Sequence, residues 1–213
     1  MTRKLIVFDM NGTLIENNSW LDLNLAMGIT EEEDSHLLAK ATAGEITDRE
    51  GQQWLLNAYR ERGDVSRGNI MKVLGKITYK PHAHTVITEL KKRGHIVAIV
   101  SGAMNILVEY VAEELNVDHW RATNTFVFDN DDKLVHIEAA ENESEGKLAS
   151  MQNLMRELNF DYNDCIAVGD GSSDILLFRA TGNGVTFSDS HVTHEAKYTI
   201  NDLSDLLQIV DSV

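Results

Sequence analysis

Three short apolar runs, each closed by a polar or acidic side chain, constrain the fold of this chain more than any other feature. The runs are KLIVFD at 4–9, HIVAIVSG at 95–102 and DCIAVGDG at 164–171. Each run is too short for a typical helix and stops at or just before a turn that contains glycine, so each predicts a buried β-strand. The predicted strands deliver three side chains to their carboxyl ends: Asp9, Ser101 and Asp170.

Helical patterns separate these strands. The stretch HTVITELKKRG at 84–94 ends in basic residues and glycine, as helices often do, and LASMQNLMRELNF at 148–160 is amphipathic. Strands that alternate with helices predict a doubly wound α/β domain with a parallel sheet, a Rossmann-like core. Further strands are predicted at 184–187 and 198–200, and a terminal helix at 202–210. Ligands of such sheets bind beyond the carboxyl ends of the strands.

Residues 15–79 have a different sequence pattern. They contain no convincing strand and several helical stretches, namely WLDLNLAMGI, EEDSHLLAKATAG and REGQQWLLNAYRER. We therefore expect a helical cap at 15–79, inserted into an α/β core formed by 1–14 and 80–213. The stretch TNTFVFDNDDKLVHIEA at 123–139 alternates weakly around a turn-forming DNDD and predicts a β-hairpin.

The charge balance restricts the function. The chain has 34 acidic and 19 basic side chains and a formal net charge of -15, which disfavours binding to nucleic acid or to an anionic membrane surface. An anionic substrate would need a local positive feature, and a metal ion would supply one. The single cysteine, Cys165, excludes an internal disulfide framework. Together with a beginning, MTRKLIVFD, that lacks a long apolar stretch, this predicts a soluble cytoplasmic protein.

The residues at the predicted strand ends suit phosphoryl transfer. A carboxylate such as Asp9 can accept a phosphoryl group as an aspartyl phosphate, provided that a divalent cation offsets the repulsion between carboxylate and phosphate. Asp9 and Asp170 would hold that cation, and Mg²⁺ is the natural choice because it prefers oxygen ligands from one or two carboxylates plus phosphate and water. The Ser101 hydroxyl and the Lys147 ammonium would then hold the remaining phosphate oxygens.

Four motifs in order, DMNGTL, IVSGA, GK and VGDGSSD, span nearly the whole chain. In their order and character they resemble the haloacid dehalogenase (HAD) superfamily, and within it the phosphoserine phosphatase branch. The resemblance implies a Mg²⁺-dependent phosphatase that hydrolyses a small phosphomonoester through an aspartyl-phosphate intermediate.

The resemblance also implies a role for each matching residue. Asp9 is the nucleophile, Lys147 steadies nucleophile and phosphate, and Asp174 orients the metal shell. The phosphate would contact Ser101, Gly102, Lys147 and Ser173, the last standing where the family has an asparagine. The Mg²⁺ site would comprise Asp9, Asn11, Asp170 and Asp174. In the family the residue two after the nucleophile gives its backbone carbonyl to the metal and its carboxyl group to proton transfer, and here that residue is Asn11.

The amide of Asn11 cannot give a proton to a leaving oxygen or take one from water. General acid–base help is typically worth about 10²- to 10⁴-fold in rate. Three explanations remain open: a phosphatase impaired at this residue, a low-turnover phosphate-binding or regulatory protein, and a substitution introduced to trap a complex. Dehalogenation is a weaker alternative, because Asp170 and Asp174 suit a Mg²⁺ site better than a metal-free halide pocket.

The cap departs from the family pattern for substrate recognition. In the phosphoserine enzymes a cap glutamate and a cap arginine hold the substrate's amine and carboxylate. Here the glutamate position falls near Asn18, and the matching stretch REGQQWLL offers only Arg49. We therefore expect phosphoserine to be a poor substrate and another small phosphorylated metabolite to be the partner, which the sequence does not name.

Two further patterns have competing interpretations. His82 and His84 form a candidate metal pair, but a spacing of two on a helix points side chains apart. Asp174 could cap the helix that follows it instead of serving the metal shell, although the two roles are compatible.

Overall fold

The computed structural model describes residues 2–213 and contains a seven-stranded sheet in the order β4-β3-β2-β1-β5-β6-β7. The strands are β1 Leu5–Phe8, β2 Ile96–Met104, β3 His119–Phe128, β4 Leu134–Ala139, β5 Cys165–Val168, β6 Gly184–Phe187 and β7 Tyr198–Ile200. All neighbouring strands are parallel except β3 and β4, which pair antiparallel. The predicted α/β fold with a doubly wound parallel sheet is confirmed, and so is the predicted hairpin, which is β3–β4.

The helices cover both faces of this sheet. They are α1 Ser19–Ala26, α2 Glu31–Thr42, α3 Asp48–Arg62, α4 Arg67–Leu74, α5 Ala83–Lys92, α6 Asn105–Glu114, α7 Glu143–Leu158, α8 Ile175–Thr181 and α9 Leu206–Ser212. Two of them, α4 and α6, were missed in the sequence, and α6 begins directly after β2 with no turn residues to mark its start. None of the helices in residues 2–213 is both long and apolar enough to cross a membrane.

The central strands are apolar because both of their faces are covered. All four residues of β1 and of β5 are buried, and separate apolar clusters lie on the two sides of the sheet. The register places Phe8 beside Ile99 on one side and beside Val168 on the other. The residues that follow these positions therefore emerge together at the carboxyl edge of the sheet.

Helix α7 begins earlier than the amphipathic stretch indicated. It starts at Glu143, where the Asn142 side chain accepts a hydrogen bond from the Glu145 N–H at 3.1 Å and caps the helix. Lys147, just before the predicted stretch at 148–160, therefore lies one turn inside the helix, and its side chain is buried. This turn of helix brings Glu143 and Lys147 to the same face of α7.

Four helices, α1–α4, occupy the segment predicted as the cap. Both α2 and α3 begin with a capping box, formed by Thr30 with Glu33 and by Thr47 with Glu50, which fixes where each helix starts. The segment also joins the hairpin, because the Leu134 N–H donates to the Val65 carbonyl at 2.9 Å. The helical content agrees with a cap, and its division from the core at 15 and 79 stays a prediction.

We predict that packing of α7 on the sheet contributes strongly to stability. Leu154 on α7 is fully buried, so Leu154→Ala should lower the free energy of unfolding by about 2–5 kcal/mol. Leu38 on α2 is 66% exposed, and Leu38→Ala should change it by no more than about 0.5 kcal/mol. Urea denaturation of the two variants measures the difference, and equal losses would contradict this account of the core.

Candidate active site

Carboxylates from neighbouring strand ends converge at the carboxyl edge of the sheet. Asp9 follows β1, where its N–H donates to the Val168 carbonyl at 2.8 Å, and Asp170 lies two residues beyond β5. Asp174 lies just before α8. One oxygen from each of these three carboxylates lies within 4.8 Å of the others. The structure thus brings together the acidic residues that the motifs singled out.

Lys147 is the positive centre of this cluster. Its side chain is 1% exposed, and its Nζ donates to Asp9 Oδ1 and Asp174 Oδ1, both at 2.8 Å, and to Ser173 Oγ at 3.0 Å. Burial alone would lower the pKa of the ammonium group, but the surrounding carboxylates raise it above its usual value. Lys147 is therefore a permanent cation that holds the Asp9 carboxylate in place.

Asp174 is a structural partner of Lys147 and of the loop after β5. Its Oδ2 accepts hydrogen bonds from the backbone N–H groups of Asp170 and Gly171, each at 3.2 Å. A Cβ atom on Gly169 would lie 2.3 Å from this carboxylate, so only glycine permits the contact. Asp174 occupies the N-cap position of α8 as the alternative interpretation expected, but its side chain makes no capping hydrogen bond to that helix.

Asp170 is oriented by two hydroxyl groups and a close glycine. Thr13 Oγ1 donates to Asp170 Oδ1 at 3.1 Å, and Ser190 Oγ donates to the Asp170 carbonyl at 2.8 Å. Gly12 has φ +74°, and a Cβ atom there would lie 2.2 Å from Asp170 Oδ2. Burial raises the pKa of Asp170, and the Asp9 charge raises it further. Thr13 was missed in the sequence, although it stands four residues after Asp9 in the DMNGTL motif.

Asn11 lies in the turn after β1. The Gly12 N–H donates to the Ile15 carbonyl at 2.8 Å, which closes this turn. The Asn11 Oδ1 atom is buried and has no hydrogen-bond partner among residues 2–213. A buried oxygen without a donor is costly, so a cation or its bound water is a suitable partner for it.

Ser101 and Gly102 lie in a bulged part of β2. The Ser101 side chain is buried, and its Oγ accepts from the Ala103 N–H at 3.2 Å. The Gly102 carbonyl accepts from Trp20 Nε1 at 2.9 Å and from Asn124 Nδ2 at 2.7 Å. Trp20 thus connects helix α1 to the end of β2, and Asn124, which sequence analysis missed, holds the same carbonyl from β3.

Glu143 is a further carboxylate of the site that sequence analysis missed. A Cβ atom on Gly102 would lie 2.2 Å from Glu143 Oε1, and this oxygen is 3.9 Å from Lys147 Nζ. Burial raises the pKa of Glu143, and the Lys147 charge opposes that effect. The spacing of four residues between Glu143 and Lys147 could have signalled their proximity, had the start of α7 been placed correctly.

The charges and ligand atoms suit a divalent cation. One buried ammonium group faces the carboxylates of Asp9, Asp170 and Asp174, so negative charge is in excess. Asp9 uses Oδ1 for Lys147, and its second oxygen accepts no side-chain hydrogen bond among the described residues. An oxygen-only set of this kind fits Mg²⁺ better than metals that favour nitrogen or sulfur ligands.

The rings of His82 and His84 have different partners and do not form a metal-binding pair. His82 Nδ1 is 2.7 Å from Asp202 Oδ1, whereas the His84 ring packs edge-on against Tyr79 with 4.7 Å between ring centroids. The alternative of a histidine metal pair is therefore not supported by the geometry.

A cavity of about 180 Å³ lies between α1, α2, α3 and the start of α7, and Glu143 is the residue of the site that lines it. Its polar lining residues are Asn18, Asn24, Asp34, Asp48, Gln52 and Glu143. Within the described residues, no lysine or arginine lines this cavity. Arg49 points elsewhere, because its Nε donates to the Ala139 carbonyl at 3.1 Å and its guanidinium group pairs with Glu141.

The family model of haloacid dehalogenase-like hydrolases matches residues 6–179. This chain belongs to that family. It is 28% identical over 98% of its length to a phosphoserine phosphatase of Methanocaldococcus jannaschii, and it covers 96% of that protein. It is also 30% identical over 87% of its length to a probable phosphoserine phosphatase of Schizosaccharomyces pombe, of which it covers 61%.

Solved structures give the same result. A substrate-bound phosphoserine phosphatase complex aligns with 99% of this chain and of its own, with a TM-score of 0.83 and 25% identity. A phospho-aspartyl intermediate analogue of phosphoserine phosphatase aligns with 99% of this chain and 100% of its own, with a TM-score of 0.82 and 26% identity. The predicted resemblance to the phosphoserine phosphatase-like branch is confirmed, and so is the predicted class of enzyme, a HAD-type phosphatase.

We predict that Gly12 is needed for the position of Asp170. Gly12→Ala should displace the Asp170 carboxylate and weaken Mg²⁺ binding, which titration calorimetry measures. The matched control is Gly44→Ala, because Gly44 has a similar φ of +72° but nothing within 4 Å of its Cβ position. Both variants carry backbone strain, and only the first should lose Mg²⁺ affinity. Equal Mg²⁺ affinity in the two variants would exclude this role.

Proposed function

We propose that this protein is a Mg²⁺-dependent phosphatase that hydrolyses a small phosphomonoester through phosphorylated Asp9. The observation that carries the proposal is the buried Asp9 carboxylate, held by Lys147 at 2.8 Å beside Asp170 at the carboxyl edge of the sheet. A structural neighbour described as a phospho-aspartyl intermediate analogue supports the same chemistry. A cytoplasmic site of action on a small phosphorylated metabolite is part of this proposal.

Each residue of the site has a task in this reaction. Lys147 holds Oδ1 of Asp9 and directs the second carboxylate oxygen toward the phosphorus atom. The Ser101 hydroxyl, the Gly102 backbone, Ser173 and Lys147 hold the phosphate oxygens and stabilise their charge in the transition state. Asp174 positions Lys147.

The metal-binding part of the site is formed by Asp9, Asp170 and the main chain of Asn11. When bound, Mg²⁺ offsets the repulsion between the carboxylates and the incoming phosphate. Thr13 keeps Asp170 oriented for this purpose through its hydroxyl hydrogen bond. Asp174, whose two oxygens already accept from protein donors, would orient the metal-binding residues through its hydrogen bonds with Lys147 and with the Asp170 N–H.

Asn11 favours one alternative function. Its amide cannot transfer a proton, so turnover that depended on residue 11 would be slow. A low-turnover phosphate-binding or regulatory protein would keep the same charges, the same metal ligands and the same cradle for phosphate. Steady-state hydrolysis with Mg²⁺ distinguishes the two functions, because only the phosphatase releases inorganic phosphate repeatedly.

The residues that line the cavity restrict the charge of the substrate. The relatives are named phosphoserine phosphatases, and phosphoserine carries a carboxylate beside its amine. In this chain the cavity presents Asp34, Asp48 and Glu143, and Arg49 is engaged outside it. A substrate carboxylate would meet the like charges of Asp34 and Asp48 there without a cationic partner. The substrate that fits is a phosphomonoester with a neutral or cationic remainder.

We predict that hydrolysis depends on the metal and on Asp9. With 4-nitrophenyl phosphate as substrate, EDTA should abolish turnover and added Mg²⁺ should restore it, since the carboxylates otherwise repel phosphate. Asp9→Asn should reduce turnover to the background rate, because the amide is a poor nucleophile. Asp189→Asn, at an exposed aspartate, is the control that should keep full activity. Metal-independent turnover would contradict the proposal.

A second prediction concerns the substrate carboxylate. O-phosphoethanolamine and phosphoserine carry the same phosphate and amine, and only phosphoserine has the carboxylate. We expect kcat/KM for O-phosphoethanolamine to be higher by at least about tenfold, because like charges placed together cost several kcal/mol. Initial rates measured separately for each substrate with Mg²⁺ give the ratio of the two kcat/KM values. A preference for phosphoserine would show that other groups neutralise its carboxylate.

A further inference from the structure

Glu143 lies at the border between two parts of the site. On one side its carboxyl group is packed against Gly102 and lies 3.9 Å from Lys147, two of the groups proposed to hold phosphate. On the other side it lines the cavity beneath the cap helices. In a phosphomonoester, the bridging oxygen lies between the phosphorus atom and the leaving group. The border where Glu143 lies is therefore the place where a bridging oxygen would be found.

The other carboxyl groups of the site are committed elsewhere. Asp9 is held by Lys147 as the proposed nucleophile, and Asp170 accepts from Thr13 beside it. Asp174 accepts hydrogen bonds on both oxygens. The reaction still needs a group that protonates the leaving oxygen and deprotonates water.

We propose that Glu143 is the catalytic acid and base that the amide of Asn11 cannot be. This inference rests on the proposed phosphatase function. In the first step an Asp9 oxygen bonds to phosphorus, the bond between phosphorus and the bridging oxygen breaks, and the Glu143 carboxyl group gives its proton to that oxygen. In the second step the Glu143 carboxylate takes a proton from a water molecule while the oxygen of that water bonds to phosphorus. The Asp9–phosphorus bond then breaks, releasing phosphate and restoring the starting enzyme.

The surroundings of Glu143 suit this task. Its backbone N–H donates to Asp48 Oδ2 at 2.7 Å, which anchors the start of α7 against the start of α3. The charged groups that face its carboxyl group are Lys147, Asp9 and Asp48. Burial and the two aspartates raise the pKa of Glu143, whereas Lys147 lowers it. Glu143 is thus held beside Lys147 and in the wall of the cavity, where its carboxyl group can exchange a proton with a leaving oxygen or with water.

The test compares Glu143→Gln with the unmodified chain on two substrates. Turnover of an alkyl phosphate, such as O-phosphoethanolamine, should fall by about 10²- to 10⁴-fold, because its leaving oxygen needs a proton. Formation of the phosphorylated enzyme from 4-nitrophenyl phosphate should change little, because nitrophenolate leaves without one. A rapid-mix burst of nitrophenolate measures that step separately from hydrolysis of the intermediate. Glu145→Gln, an exposed residue on the same helix, is the matched control and should keep both activities.

A rescue experiment separates proton transfer from a structural role. Asn11→Asp introduces a carboxyl group at residue 11, which is the position that the family resemblance assigns to proton transfer. In the Glu143→Gln background it should restore alkyl phosphate turnover, and the gain there should exceed its gain in the unmodified chain. A purely structural effect of Glu143→Gln would lower the nitrophenolate burst as well and would not respond to Asn11→Asp.

Three results would overturn the inference. An unchanged alkyl phosphate rate in Glu143→Gln would exclude proton transfer by Glu143. Faster turnover together with tighter inhibition by inorganic phosphate would show that the carboxylate only blocks the phosphate site. Absence of any turnover or nitrophenolate burst in the unmodified chain with Mg²⁺ would instead reject the proposed phosphatase function, and the inference with it.

Discussion

The buried ammonium group of Lys147 is the interaction on which the rest of the site depends. It joins helix α7 to the end of β1 through Asp9 and to the loop after β5 through Asp174, at 2.8 Å in both cases. Without it, two buried carboxylates would lose their partner, a loss that typically costs about 3–5 kcal/mol. The same contact fixes the carboxylate of Asp9, the proposed nucleophile. Stability and chemistry are therefore coupled in this ion cluster, and the residual negative charge makes it receptive to a divalent cation.

Glycine residues make this concentration of carboxylates possible. Asp170 lies against Gly12 and Asp174 lies against Gly169, in each case closer than any Cβ atom would allow. The glycines thus set the distance between the side-chain oxygens and the backbone of the loops. Backbone N–H groups at 170 and 171 can then donate to Asp174, while the Asp170 carboxylate accepts from Thr13. The positions of the carboxylates are therefore set by their close packing against the backbone at these glycines.

Helices α1 and α3 contact the residues of the candidate site. Trp20 connects α1 to the Gly102 carbonyl, and Asp48 at the start of α3 binds the first N–H of α7. Trp20, Asp48 and Glu143 all line the cavity between these helices. The cavity wall carries the carboxyl groups of Asp34, Asp48 and Glu143 and, among the described residues, no lysine or arginine. Membership of the family therefore does not transfer the substrate of its relatives to this chain.

The sequence by itself determined the parallel sheet and the positions of Asp9 and Asp170. Both conclusions follow from local patterns, because the carboxyl ends of neighbouring parallel strands share one edge. The motifs also indicated Lys147, although its place inside α7 depended on a cap at Asn142 that the apolar pattern does not mark. Only the tertiary structure decided that Asp174 holds Lys147 rather than capping α8.

Only the tertiary structure also revealed that Glu143 contacts Gly102 and that Arg49 turns toward Ala139 and away from the cavity. These contacts join residues far apart in the chain. Their side-chain directions are set by how α3 and α7 pack against the hairpin, which no local pattern of residues encodes.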